Sequence, residues 1–182
     1  MSKLETNQVD PATGTTLTLG TSGDTIDIPS GVTLDTTGAT VTGLTTGKIL
    51  QAVSATDTTE RTTTSNSFVT ASNGLSVNIT PSSTSSKVFV VLSTATYSST
   101  ANKAVYVTIY RDSTNLGNSN GLMRYLDQGD TGGGSVTCAL LDSPSTTSQI
   151  TYQAYIRVDS SSAGGNLNAN SSGFITAFEV GA

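Results

Sequence analysis

The chain has 182 residues, 12% charged and 35% hydrophobic, with eight basic and thirteen acidic residues and a formal net charge of −5. The eight bases are dispersed rather than gathered into a stripe, which excludes a nucleic-acid partner held by its phosphates. The apolar content is too high and the net charge too low for ordinary disorder.

Ser and Thr make up about a third of the residues, and no run of apolar residues recurs at helical spacing. Thr suits strands while Ser and Gly suit turns, so the chain reads as all-β with many short strands. No histidine occurs, which excludes Ser-His-Asp and Cys-His chemistry and every His-containing metal site. Cys138 is the single cysteine, so no intrachain disulfide and no thiolate zinc cluster can form. The start, Met1-Ser2-Lys3-Leu4, is followed by acids rather than an apolar stretch, and no transmembrane run occurs. Synthesis in a reducing cytoplasm without membrane insertion is the expectation.

Residues 1 to about 12 have no period and read as an arm. From 13 to 46, minimal strands alternate with turn signals: Thr16–Leu19, Thr25–Ile28, Val32–Leu34 and Ala39–Val41, separated at Gly20–Gly23, Pro29–Gly31 and Thr36–Gly38. Each unit offers one or two apolar side chains, too few to offset about 1–2 kcal/mol of backbone entropy per ordered residue. Either this segment stays disordered or copies of it wrap together. The second reading predicts an intertwined shaft whose shared core is Leu17, Leu19, Ile26, Ile28, Val32, Leu34 and Val41. Up to Thr46 the chain carries one base and five acids, a net of −4, and the remainder a net of −1. That acidity fits a solvated stalk or an anionic plug for a basic collar.

Longer strands follow Lys48. Ile49–Val53 opens a domain spanning 47–182, and a polar stretch runs from Ser54 to Asn66. Phe68-Val69 and Leu75–Ile79 flank Asn73-Gly74, a hairpin signal. Lys87–Leu92 is apolar on both faces, as expected of a central strand or a subunit interface. Ala104–Arg111, Val136–Leu141 and Ile150–Val158 alternate, with Ile150, Tyr152, Ala154, Ile156 and Val158 inward; Cys138 shares a face with Val136 and Leu140 and reads as a buried thiol. In the last strand Phe174, Thr176, Phe178 and Val180 share a face. About eight strands suit a jelly-roll sandwich, with polar loops at 112–134 and 159–173; Gly132–Gly134 reads as flexible loop.

The blocks GKILQ (Gly47 to Gln51), ITPSSTSSKVFV (Ile79 to Val90), LLDSPSTTSQITYQ (Leu140 to Gln153) and FITAFEV (Phe174 to Val180) together resemble the C-terminal domain of many tailed-phage fibre-like virion proteins. Such proteins are common in marine and cyanobacterial phages. LTLGTSGDTIDIPSGVTL (Leu17 to Leu34) is similar to the shaft that precedes these domains. The resemblance implies a virion structural protein, without enzymatic activity. It further implies a homotrimer with a head like the jelly rolls of tumour necrosis factor and complement C1q. The arm would then anchor to other phage virion proteins through Lys3, Leu4, Val9 and Asp10. The shaft is short for a tail fibre, so a capsid decoration on the head lattice is the alternative, and a polysaccharide-cleaving tailspike a third.

Two chemistries remain to weigh. Asp127 and Asp130 could form a paired-carboxylate glycosidase site, but the chain has no Trp for a sugar platform. Asp112, Asn115, Asn118 and Asn120, with Asp127 and Asp130, are oxygen-rich enough for Ca²⁺ but lack the cadence of a calcium loop, and Asn and Asp there serve equally as turn formers. No cofactor is expected. Glu179, on the opposite face from Phe178 and Val180, is expected either to pair with Arg157 or Arg111 across a strand or subunit boundary or to stand as an exposed edge carboxylate. Tyr106, Tyr110, Tyr152 and Tyr155 read as core or interface. For contact with a host-surface glycan the candidates are two loops, with Met123, Arg124, Tyr125, Asp127 and Asp130 in one and Asn166 and Asn168 in the other.

Overall fold

The computed structural model describes residues 9, 11, 13–35, 49–126, 129, 132–160 and 163–181. It divides into two units, residues 1–44 and 45–182.

In the first unit, residues 13–35 form extended stretches joined by two turns at the expected places. Asp24 N donates to Thr21 O at 3.0 Å and Val32 N to Pro29 O at 3.1 Å. Gly23 (φ 96°) and Gly31 (φ 87°) hold the third turn position, where a type II turn demands positive φ. The Asp24 carboxylate accepts from Thr21 N at 2.6 Å and closes its turn from the other side. The backbone hydrogen bond from Thr21 holds its pKa below the ordinary value. Among the described residues the expected strands at Thr16–Leu19, Thr25–Ile28 and Val32–Leu34 form no ladder, since a strand needs a hydrogen-bonded neighbour and residues 13–35 supply none to one another.

The second unit is a two-sheet sandwich of twelve strands: β1 (Ile49–Asp57), β2 (Arg61–Thr63), β3 (Val69–Thr70), β4 (Ser76–Ile79), β5 (Lys87–Ser98), β6 (Ala104–Arg111), β7 (Thr114–Asn115), β8 (Met123–Leu126), β9 (Gly132–Asp142), β10 (Ile150–Val158), β11 (Gly165–Leu167) and β12 (Gly173–Val180). One sheet, here sheet A, runs β1-β12-β5-β9, with β11 and β2 extending it beside the end of β5. Sheet B runs β3/β4-β10-β6-β7/β8. All pairings are antiparallel, and the chain passes between the sheets from β2 to β3, β4 to β5, β5 to β6, β8 to β9, β9 to β10 and β10 to β11, the connectivity of a jelly roll. Its core follows the alternation expected from the sequence. Val88, Val90 and Leu92 of β5 and Val105, Val107 and Ile109 of β6 are buried, as are alternate residues of β10 from Ile150 to Val158. Cys138 is buried, and burial pushes its thiol up to about 12.

Several expectations are corrected. β1 runs on to Asp57, and β2 occupies part of the supposed polar stretch. Gly132–Gly134 lie in β9, paired with Ser98, Tyr97 and Thr96, not in a flexible loop. A Cβ on Gly133 would meet Thr96 O at 2.8 Å, so glycine is what lets the two backbones pair there. Asn73-Gly74 makes no hairpin: β3 and β4 run in the same direction along β10, with Ile156↔Val69 and Tyr155↔Thr70, then Gln153↔Ser76 and Ile150↔Ile79. Residues 71–75 are therefore a bulge in one broken strand. Burial decides it, since Ala71 and Leu75 both drop into the core and a two-residue hairpin would carry one of them out. The opposite edge of sheet B repeats the device. β7 and β8 both run antiparallel to β6, with Leu116 N bonded to Ile109 O and Leu122 N to Val107 O, and 117–121 bulge out between them.

Candidate functional site

With β1, β5, β9 and β12 alternating, their outward positions form one face of sheet A. All four strands are described in full, and those positions hold a single charge, Lys87 at a corner. At one end of the face Ile49, Phe89, Leu141, Phe178 and Val180 line an open groove of about 390 Å³ with apolar side chains alone. Phe89 and Phe178 stack there with ring centroids 6.4 Å apart. Toward the other end hydroxyls satisfy each other, Ser54 with Thr176 at 2.9 Å and Ser93 with Thr137 at 3.0 Å.

The outer face of sheet B is organised differently. The Arg157 guanidinium sits 3.8 Å from the centroid of the Tyr106 ring and 5.4 Å from that of Phe68, and Arg124 lies 5.9 Å from Tyr106. Tyr110 stacks on Tyr155 at 3.9 Å. The 117–121 bulge joins this cluster, since Arg157 Nη2 donates to Ser119 O and to Asn120 Oδ1 at 2.9 Å. Gly121 (φ 74°) lies so close that a Cβ would meet Val107 O at 2.7 Å. Aromatic faces that would otherwise meet solvent are covered by the chain's own cations and loop.

The carboxylates of Glu179, Asp142 and Asp57 are paired inside the sandwich, though not as expected. Glu179 is wholly buried and meets neither Arg157 nor Arg111. It accepts from Gln51 Nε2 at 2.6 Å, Ser82 N at 2.7 Å and Ser82 Oγ at 2.6 Å. Burial would raise its pKa, but the donors from Gln51 and Ser82 outweigh burial and hold it down at about 2. These bonds fasten the 80–86 turn onto β12 and β1. Arg111 instead makes a two-pronged contact with Asp142 at 2.9 and 2.7 Å, and Tyr152 Oη donates to the same carboxylate at 2.6 Å. Burial and then the Asp142 contact push the Tyr152 hydroxyl pKa far up. Asp57 accepts from Ser72 Oγ and Thr59 N, tying β1 to the 71–75 bulge, and the Ser72 bond leads in lowering its pKa.

The sequence-predicted sites are scattered by this geometry. Lys3, Leu4, Asp10, Val41, Asp127 and Asp130 lie outside the described residues, while Val9 is exposed. Leu17, Leu19, Ile26, Ile28, Val32 and Leu34 are all exposed, between 43% and 69%. Met123, Arg124 and Tyr125 sit on β8 rather than in a loop, and Tyr125 packs inward against the core, where a Cβ on Gly134 would touch its ring. Asn166 is in β11 and donates to Glu60 at 2.6 Å. Asn168 is buried at φ 56°, accepts from Thr94 Oγ1 and donates to Thr59 O, so it is a turn former and offers no surface. Of the calcium candidates, Asp127 and Asp130 lie outside the described residues, and side-chain oxygens of the other four accept hydrogen bonds within the fold. Asn115 Oδ1 accepts from Thr108 and Gly117 N, Asn118 Oδ1 from Asn120 N, and Asp112 Oδ1 from Thr151 N.

No family model and no curated protein matches the chain. Among solved structures, the T=1 particles derived from infectious bursal virus align over 74% of this chain and 37% of theirs, at 13% identity and a TM-score of 0.37. The VP2 subviral particle of infectious bursal disease virus aligns over 74% and 38%, at 16% identity and the same TM-score. The chain thus spans well under half the length of the chains it aligns with, and likeness of this degree assigns neither family nor function.

Among the described residues no three His, Cys, Asp or Glu side chains gather where a metal ion could be held. The sequence reading missed the cation stack on sheet B and the uncharged face of sheet A. Both were legible in part: Tyr106 and Tyr110 share one face of β6 and Tyr155 and Arg157 one face of β10, while Phe178 and Val180 share one face of β12, Phe178 opposite Phe89.

Proposed function

We propose that the protein is a non-enzymatic structural component of a tailed-phage virion. In this reading it is a homotrimer whose N-terminal residues attach to the particle and whose sandwich is displayed outward. The single observation that carries the proposal is the row from Leu17 to Leu34. Six large apolar side chains are at least 43% exposed, within a segment fixed by two turns. Burying each would contribute about 1.5–3 kcal/mol, and residues 13–35 contain no core of their own in which to do so. A shared core between copies supplies one, and the resemblance to phage fibre-like proteins supplies the setting. Host-glycan contact then falls to Met123, Arg124 and the 117–121 bulge, since Tyr125 and Asn168 are turned inward.

The test has two arms. Light scattering on the purified full chain should give three chain masses, and a monomer would end the homotrimer reading. Antibodies against the sandwich should label intact particles at a few tail sites; dense labelling of the head lattice would instead establish the capsid-decoration role.

A further inference from the structure

The two sheets treat their exposed surfaces in opposite ways. Both edges of sheet B are interrupted by bulges, at 71–75 and 117–121, and its outer face is covered by Arg157, Arg124 and a loop. Bulges of this kind stop a further strand from adding. Sheet A is less protected: β1 has one register irregularity, between Ile49 and Gln51, and β9 pairs with β5 in unbroken register. Its edges β1 and β9 are nine and eleven residues long, among the described residues each pairs with one strand only, and neither carries a charge before its last residue. The outward positions of β1, β5, β9 and β12 are uncharged except at Lys87 and carry Ile49 and Leu141 more than half exposed beside Phe89, Phe178 and Val180. The solvated face of an antiparallel sheet is ordinarily polar, and contiguous apolar surface of this kind marks an interaction site.

We propose that the outer face of sheet A, with the free edge of β9, is the surface through which copies of this chain pack against one another. Charge favours a second copy as occupant. Residues after Thr46 carry seven bases and eight acids, a net of −1, so a second copy approaches the sandwich with little net repulsion and meets no acid on this face. Size agrees. Four strands of about nine residues span about 30 by 19 Å, roughly 600 Å² before the rim is counted, against about 800 Å² per partner in a standard interface. The groove lacks the convergent polar groups that orient a sugar or other small polar ligand. Contact between the face of one copy and the β9 edge of the next is head-to-tail, the arrangement from which a ring is built when the rotation closes. This rests on the homotrimer reading and names the surface that the sandwich would contribute to it.

The experiment compares thiol labelling in the full chain at positions that are both exposed in one copy. Leu141→Cys lies on the face, and Ser119→Cys lies on the 117–121 bulge of the other sheet. The native Cys138 thiol is buried and, with its pKa pushed up to about 12, adds no background. With the mass measured on the same samples, Leu141→Cys should react at least about tenfold more slowly than Ser119→Cys. A multimer in which both react equally overturns this inference and leaves the oligomer standing; a monomeric mass overturns both. As an independent arm, Phe89→Lys with Leu141→Lys replaces two exposed side chains, so the sandwich should keep its circular dichroism while the multimer dissociates. A variant that stays assembled overturns the inference.

Discussion

The stretch from Leu17 to Leu34 and the strand from Val88 to Leu92 are built from the same aliphatic side chains with opposite outcomes. In β5 every second residue is fully buried between two sheets, whereas in the N-terminal unit no large apolar residue from 17 to 34 is less than 43% exposed. Both segments are extended. The difference is company: β5 has β12 and β9 beside it and β6 across the core, while residues 13–35 have two turns and no ladder with one another. Alternation in a sequence therefore states which side chains need burial, without stating which molecule provides it.

The sharpest way to test this contrast is to truncate one side chain on each side of it. Leu92→Ala should cost about 2–5 kcal/mol in denaturant unfolding, through lost burial and the cavity left behind. Leu34→Ala in an isolated chain should stay within about 0.5 kcal/mol. A loss above 1 kcal/mol at Leu34 that grows with protein concentration would show that copies bury it.

Acid should separate the two units next. Glu179 titrates at about 2 when folded against 4.5 ordinarily, so its stabilisation is fully present above about pH 4.5 and is lost as pH falls toward 2. The integrated effect is up to about 3 kcal/mol. Asp57, also lowered, acts in the same direction. Unfolding midpoints of the sandwich should fall across that window, and Glu179→Gln should flatten the slope; an unchanged slope would mean the carboxylate is not buried as described.

A smaller effect is expected at Arg111→Ala, which leaves Asp142 with Tyr152 alone. About 1–3 kcal/mol should be lost at neutral pH, read by thermal melting. The smallest is Ile26→Asp, which in an isolated chain should leave the melting of the sandwich unmoved. In an assembled chain it should speed proteolysis of residues 13–35, and equal cleavage of both forms at high concentration would remove the shared-core account.

Much of the sandwich was legible because its burial is periodic. The inward set of β10, the central place of β5 and the buried Cys138 all follow from alternation within single strands. What failed depended on partners remote in sequence. Asn73-Gly74 looks like a hairpin until Leu75 and Ala71 are both required inside, and Met123 to Leu126 look like loop until β6 is there to pair with. Glu179 was expected to meet an arginine or to stand exposed, but the donors are Gln51 and the 80–86 turn, which alternation in β12 cannot reveal. The candidate contact residues failed for the same reason: Asn168 resembles a surface residue by type, and its positive φ and the Thr94 hydroxyl make it part of the interior.

The two bulges of sheet B have one more consequence. A sandwich with four usable edges can grow in two directions, and in a cell producing many copies it would tangle into sheets. With one sheet's edges spoiled, strand addition is confined to the other sheet, and in the proposed assembly that limits each chain's valence by its own backbone.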